Sequence, residues 1–333
     1  MKKAFTTLLI LLITASAYAQ QSSAAGSGTK EKKRYEHVKE RNISKTYSAS
    51  GNTLQIDNQF GSVTVTTWNK NEIKVDIHIE ASSNKEEVAE KTFSNIDVED
   101  SKDGNTIKFK TRFDKNKGSN YSCNNCNSSM EITYTIQVPA STPLKIENQF
   151  GSTSIPDYTG PVSLVSKFGS LTTGTLAKTD KLWVEFGKAT IKSVSNATAT
   201  FKFSTVTIEN LSGNNNIKLE FCNGSRINLD NDLTGLDLNE SYSTVNLRPA
   251  SNLSASYHIR TSFGNVKDRS NANIKRIDQP DRYGPDSNRE YEGKSGSGSA
   301  KIEIKSSFGN LIIGEATAEE MKEKDKEKNK TKI

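Results

Sequence analysis

A chain of 333 residues with 33% hydrophobic and 25% charged positions can supply one large β domain or two ordinary ones, provided much of its surface stays wet. The net charge of +6 is spread over stretches of mixed sign, with no basic stripe interleaved with aromatics, which argues against nucleic acid as a partner. Three cysteines allow at most one disulfide within the chain.

Residues 1–19 read as a secretory signal. Lys2 and Lys3 precede an apolar run at 8–13, and Ala17, Tyr18 and Ala19 form a small-x-small site before Gln20. The run is too short to span a bilayer. No cysteine stands directly after the cleavage site and no second apolar segment follows it, so the expected product is exported, without an integral membrane segment, to the periplasm, the outer surface or the medium. Residues 20–42 are expected to be a flexible linker, Ser/Gly/Ala-rich at 21–29 and charged at 30–41.

Residues 43–143 form an N-terminal, β-rich capping part. Ile73, Val75, Ile77 and Ile79 alternate with Lys74, Asp76, His78 and Glu80, the pattern of a half-buried strand. Asn84 is placed to cap a short helix whose Val88, Thr92, Phe93 and Ile96 share a face. Strands are expected at 96–98, 107–113 and 132–138, with a turn at Lys102, Asp103, Gly104 and Asn105. Such a part would cover the first coil of a stack of repeats, because a bare terminal coil is an open sheet edge.

A repeat dominates the rest of the chain. An aromatic followed by a small residue recurs at Phe60/Gly61, Phe150/Gly151, Phe168/Gly169, Phe186/Gly187, Phe203/Ser204, Phe221/Cys222, Tyr242/Ser243, Phe263/Gly264 and Phe308/Gly309. From Phe150 to Phe263 the intervals are 18, 18, 17, 18, 21 and 21 residues. Four places before the aromatic every unit is apolar: Ile56, Ile146, Leu164, Leu182, Ala199, Ile217, Leu238, Ile259 and Ile304. Three places after it come Val63, Leu171, Ala189, Val206, Val245, Val266 and Leu311, with Thr153 and Gly224 as exceptions. The inward positions therefore switch from even to odd offsets, which requires a bulge or corner at the small residue, where a large side chain would obstruct the next coil. Ser and Cys at three of these corners imply that positive φ is not obligatory at the small residue.

Stacked parallel coils and an antiparallel meander both fit a recurring corner. The residue just before the aromatic reads Lys167, Glu185, Lys202 and Glu220 in successive units, an alternation of sign that suits direct stacking about 4.8 Å apart. Residues 144–314 are accordingly read as a right-handed parallel β-solenoid of 18–21 residues per coil, within an all-β protein whose cap contains one short helix. Near Cys222, Asn223, Gly224, Ser225 and Arg226 the pattern slips by one, which implies an additional bulge. The long loop 267–299, with Pro280, Tyr283, Pro285, Tyr291 and a Gly/Ser run, is functional or disordered, and disorder is the expectation. Residues 315–333 read as a charged, disordered tail.

The phrase Ile-x-Asn-x-Phe-Gly-x-Val-x-Val from Ile56 to Val65, the Phe-Gly coils and the closing segment at 301–313 resemble the putative-adhesin β-solenoid family of exported bacterial proteins, a domain of unknown function. The resemblance spans residues 43–314 and implies a fold and adhesion; it offers no catalytic residues to carry over.

Candidate sites are few. Cys123 and Cys126 read as a disulfide clip closing a polar loop, with a redox pair or half a metal site as alternatives. No second ligand pair accompanies them: Cys222 falls at a corner, and His37, His78 and His258 are scattered, so neither a metal nor a cofactor is expected. An outward row of Thr64, Ser154, Thr172, Thr190, Thr207 and Ser225, beside Ser62, Ser152, Ser170, Lys188, Thr205 and Asn223, could hydrogen-bond a glycan or another extended polymer; the plainer reading is that Thr suits solvated strands. Trp183 should point outward between Val165 and Thr200, to stack on a sugar, anchor a partner or lie under a neighbouring segment. Tyr283 and Tyr291 are the loop's candidate contacts, whereas Asp230, Asn231 and Asp232 resemble a calcium loop only superficially. The expectation is a non-catalytic adhesin-like or scaffold protein that binds a glycan or an envelope or surface protein. The alternatives are a polysaccharide-cleaving enzyme using carboxylates among Asp57, Glu147, Glu185 and Glu220, and an envelope signalling partner.

Overall fold

The computed structural model describes residues 35–114, 125–279 and 286–321. The N-terminal part holds His37–Ser48 (β1), Thr53–Gln59 (β2), Val63–Thr67 (β3), Glu72–Ser83 (β4), the helix Glu86–Ser94 (α1), Ile96–Asp103 (β5), Thr106–Phe113 (β6) and Ser128–Val138 (β7). The repeats begin with Leu144–Gln149 (β8), Ser152–Ile155 (β9), Tyr158–Lys167 (β10), Ser170–Glu185 (β11), Lys188–Ser195 (β12) and Thr198–Lys202 (β13). They continue through Thr205–Glu220 (β14), Ser225–Ser241 (β15), Thr244–Pro249 (β16), Ala255–Ser262 (β17) and Asn265–Arg269 (β18). Lys275–Arg276 (β19), Asn288–Ser295 (β20), Ala300–Ser307 (β21) and Asn310–Gly314 (β22) complete the chain. All 22 strands belong to one hydrogen-bonded sheet, so the described protein is all-β with a single helix.

Every aromatic–small pair joins two strand segments, and equivalent segments of neighbouring repeats pair in parallel. Ile56, Ile146, Leu164, Leu182, Ala199, Ile217, Leu238, Ile304 and Ile259 stand opposite one another in that order, all buried. Apolar residues four places before the ring thus form one continuous buried column. The parity switch is present as well: in β8 residues 144, 146 and 148 are buried, and in β9 residues 153 and 155.

Chain order and spatial order part company at the C-terminus. The unit formed by β21 and β22 lies between that of β15 and β16 and that of β17 and β18. The Phe263 unit is therefore the outermost repeat, although Phe308 comes later in sequence. Beyond it β20 runs antiparallel to β17 and is followed by β19. Loop 267–299, expected to be disordered, in this way supplies two strands that cover an open edge; its polar, Gly-rich composition had concealed an edge strand half exposed to water.

At the other end β6 extends the β2 ladder in parallel and carries β5, while β7 extends the β3 ladder and carries β4 and then β1. Strand β1 pairs with β4 along its whole length, so residues 37–42 are strand rather than flexible linker. The unit around Phe60 is itself a stacked member, pairing with the Phe150 unit at both strands. Asn84 does not cap α1, whose N-cap residue is Lys85 without a side-chain bond. Its amide instead joins Asn125 O and Asn127 N, tying the strand end to the loop before β7. Only the first part of the tail is described: Glu320 accepts bonds from Arg269 at 2.6 and 2.8 Å, Lys267 at 2.9 Å and the Thr317 amide at 2.9 Å, so residues 315–321 are docked rather than loose.

At the corner the small residue needs no positive φ, in line with the Ser and Cys that stand there in three units. Positive φ falls on the ring-bearing residue, not on the small one, and does so at all nine aromatics, with values between 49° and 61°. At Gly151, Gly169 and Gly187 the requirement is instead close approach, since a Cβ would land on the carbonyl oxygen of the glycine one repeat earlier. Where the small residue is larger, its polar atom is used: Ser204 Oγ donates to Lys202 O at 2.7 Å and accepts from Gly187 N at 3.2 Å. Asn58 and Asn148 serve the first two corners from inside, Asn58 donating to Ile132 O and Asn148 Oδ1 at 3.1 Å and Asn148 donating to Gly61 O at 3.1 Å.

Candidate functional site

A left-handed backbone at the ring residue breaks the strand's alternation and turns the side chain outward. The nine rings consequently form one stack on the outside of the corner, in the order Phe60, Phe150, Phe168, Phe186, Phe203, Phe221, Tyr242, Phe308 and Phe263. Neighbouring centroids are 4.7–5.0 Å apart and the ring planes differ by 2–8°. Eight of the nine are 44–55% exposed; Phe60 is half-buried under Phe113, which meets it edge-on at 5.5 Å. Each interior ring has both faces against its neighbours, so the interior rings offer edges to solvent and no open face for a sugar to stack on.

One flank of the ridge carries the charge ladder. Lys167, Glu185, Lys202 and Glu220 are Cα partners in succession across parallel strands. Glu220 receives Lys202 at 2.7 Å and Lys218 at 2.5 Å, and these hydrogen bonds, Lys202's first, hold its carboxyl below the ordinary glutamate range.

The other flank leads to the hydroxyl rows. Thr64, Ser154, Thr172, Thr190 and Thr207 stand opposite one another in a single file. The next member is Arg226, not Ser225: the bulge at Gly224 turns Ser225 inward, where its Oγ accepts from Val206 N at 3.3 Å. Trp183 lies between Val165 and Thr200, half exposed. Lys181 and Lys202 each place a cation 5.5 Å from its ring, and Nε1 donates to Glu185 Oε2 at 3.4 Å, so a sugar would have to displace an ammonium group to stack there.

The remaining expected positions fall apart. Tyr291 pairs with Ile259 across β17 and β20 and packs half-buried on the core, while Tyr283 lies outside the described residues. Cys126 is disulfide-bonded and Cys222 is a buried free thiol whose pKa burial pushes up to about 11; Cys123 lies outside the described residues. Asp230 uses a carboxylate oxygen to cap the Asp232 amide at 2.9 Å. Of the carboxylates weighed for glycoside chemistry, Asp57 pairs with Lys110 at 2.7 Å, Glu147 accepts from Gln149 at 3.2 Å, and Glu185 and Glu220 belong to the ladder.

Two clusters escaped sequence reasoning. His258 is held between Glu290, 2.6 Å from Nε2, and Glu303, 3.0 Å from Nδ1. Hydrogen bonds from His258 and then Arg260 keep the Glu290 carboxyl low, and both ring nitrogens of His258 are engaged by carboxylates. His258 and Glu303 both stand five places before their rings, a register the repeat already contained. Glu40, His78 and Glu80, on β1 and β4, each offer a ligand atom within 4.8 Å of the others, so His78 is less isolated than its position in the sequence suggests.

No family model matches the chain, and no curated protein matches it. Similar solved structures include a putative cell adhesion protein from Clostridium sporogenes, 14% identical with a TM-score of 0.24, covering 84% of this chain and 100% of that one. A putative adhesin from Bacteroides fragilis is 12% identical with a TM-score of 0.35, covering 82% and 97%. A putative lipid binding protein from Parabacteroides distasonis is 11% identical with a TM-score of 0.32, covering 84% and 98%. Among the described residues no helix is long and apolar enough to cross a membrane.

Proposed function

We propose that the stacked units form a right-handed parallel β-solenoid and that the protein is a non-catalytic, exported, adhesin-like binder of an extended glycan or of an envelope or surface protein. The observation that carries this reading is the hydroxyl file Thr64, Ser154, Thr172, Thr190 and Thr207, one group per rung in unbroken register. A rung spacing of 4.7–5.0 Å, as measured by the rings, is close to the length of one unit in an extended sugar chain, so a polymer lying along the file meets a hydrogen-bonding group at every step. Individually weak contacts then add along a rigid template that orders nothing on binding.

Replacing Thr172, Thr190 and Thr207 together by Val keeps shape and β-propensity while removing the hydroxyls. Retention on native envelope polysaccharide is expected to fall by about tenfold or more, at a cost of about three modest hydrogen bonds, with thermal stability kept. Undiminished retention of the triple variant would remove the file from consideration. Release of new reducing or unsaturated ends from polysaccharide by the purified protein would overturn the non-catalytic reading.

A further inference from the structure

We propose that the aromatic ridge is a self-association surface on which a second copy of this chain docks antiparallel, about a two-fold axis crossing the ridge between Phe186 and Phe203. The ridge is an exposed apolar strip of eight spacings averaging about 4.9 Å, roughly 39 Å long. The small residue after each ring leaves the ring edges standing clear on that side.

The flanking charges select the occupant. In spatial order the residues before the rings are Gln59, Gln149, Lys167, Glu185, Lys202, Glu220, Ser241, Ser307 and Ser262. Laid against its own reverse with the axis between Glu185 and Lys202, this column sets Lys167 opposite Glu220 and Glu185 opposite Lys202, twice over, and every other pair is neutral. Sliding either copy by one rung sets Glu against Glu and Lys against Lys. A parallel two-fold would put the column against the opposite flank, whose residues Ser62, Ser152, Ser170, Lys188, Thr205 and Asn223 supply no acidic partner. The alternation that stabilises each chain internally is therefore also self-complementary in a single register, as an isologous interface requires. A strip one ring wide lies at the small end of interface sizes, so the dimer is a weak one that forms as concentration rises.

The test uses the mature chain and a variant with the ladder inverted: Lys167→Glu, Glu185→Lys, Lys202→Glu and Glu220→Lys. Inversion preserves alternation within the chain and between identical copies, so the variant should fold and dimerise like the wild type. Wild type against variant, however, places like charges at all four positions. Sedimentation with differently labelled chains is expected to show both homodimers, weakened by salt, and a mixed dimer at least about tenfold weaker. Mixing as free as self-pairing overturns the proposal. So does a wild-type chain that stays monomeric to its solubility limit, or one that binds anionic lipid vesicles through the ridge without self-associating. Because the threonine file is untouched, a negative result here leaves the polymer-binding reading to its own test.

Discussion

Glu240 occupies the position that Asn58 and Asn148 fill at the first two corners, two places before its ring, but it is a carboxyl group in the core with 4% of its surface exposed. Ser306, its Cα partner, hydrogen-bonds one oxygen, and among the described residues the other has no hydrogen-bond partner. Burial pushes its pKa up to about 7, against a smaller lowering by Ser306 and the Ser243 amide. The folded state therefore holds this proton more tightly than the unfolded state, whose value is near 4.5. By linkage, no penalty exists below about pH 4.5, stability falls as pH rises from there to 7, and the full cost of an unpaired buried charge remains above 7. Glu240→Gln should match the wild type in urea unfolding at pH 4 and exceed it at pH 8 by on the order of 3 kcal/mol. Equal pH profiles for the two proteins would show that Glu240 is solvated or ionised in the fold.

At the scale of the element, the corner sets the rules. Repetition made its existence and the buried column legible, because one column of nine apolar residues cannot arise from a single strand's propensity. The direction of the ring was not legible. Strict alternation points an even-offset side chain inward, and only a left-handed φ on a non-glycine residue reverses it, a choice that sequence patterns do not favour. Its local cost of about 1–2 kcal/mol is offset by stacking against two neighbours at about 0.5–1.5 kcal/mol per pair. The glycine beside the ring is legible from its smallness alone, and the structure supplies the reason: it admits the neighbouring backbone. Gly187→Ala should accordingly lower stability by at least about 2 kcal/mol, whereas Ser204→Ala, which loses only Oγ bonds, should cost about 1 kcal/mol. Denaturant midpoints of the two single variants measure this directly, and a Gly187→Ala protein as stable as the wild type would contradict the close approach seen at Gly169.

At the scale of the molecule, repeat architectures behave as one-dimensional arrays, stable in the middle and frayed at the ends. Reading the sequence linearly makes residues 300–314 the last coil and therefore the expected fraying end. The pairing instead inserts β21 and β22 between two other units, with β15 and β16 on one side and β17 and β18 on the other. Nothing in composition or period could reveal this, because Ile304 and Ile259 are equivalent members of one column and the repeat is silent about which neighbour each takes. The physical consequence is that the outermost repeat is held through the chain's C-terminal strands. Native-state hydrogen exchange should then find the amides of β21 as protected as those of β14, while β5 and β19, each with a single paired neighbour, exchange first. Cutting the chain before Ala300 would remove the rung between Tyr242 and Phe263 and leave β17 with only its antiparallel partner β20. That truncation should lose cooperative unfolding of the C-terminal repeats rather than simply shorten the array. If β21 exchanged as early as β19, the threaded order, and with it the single unbroken ridge, would not hold in solution.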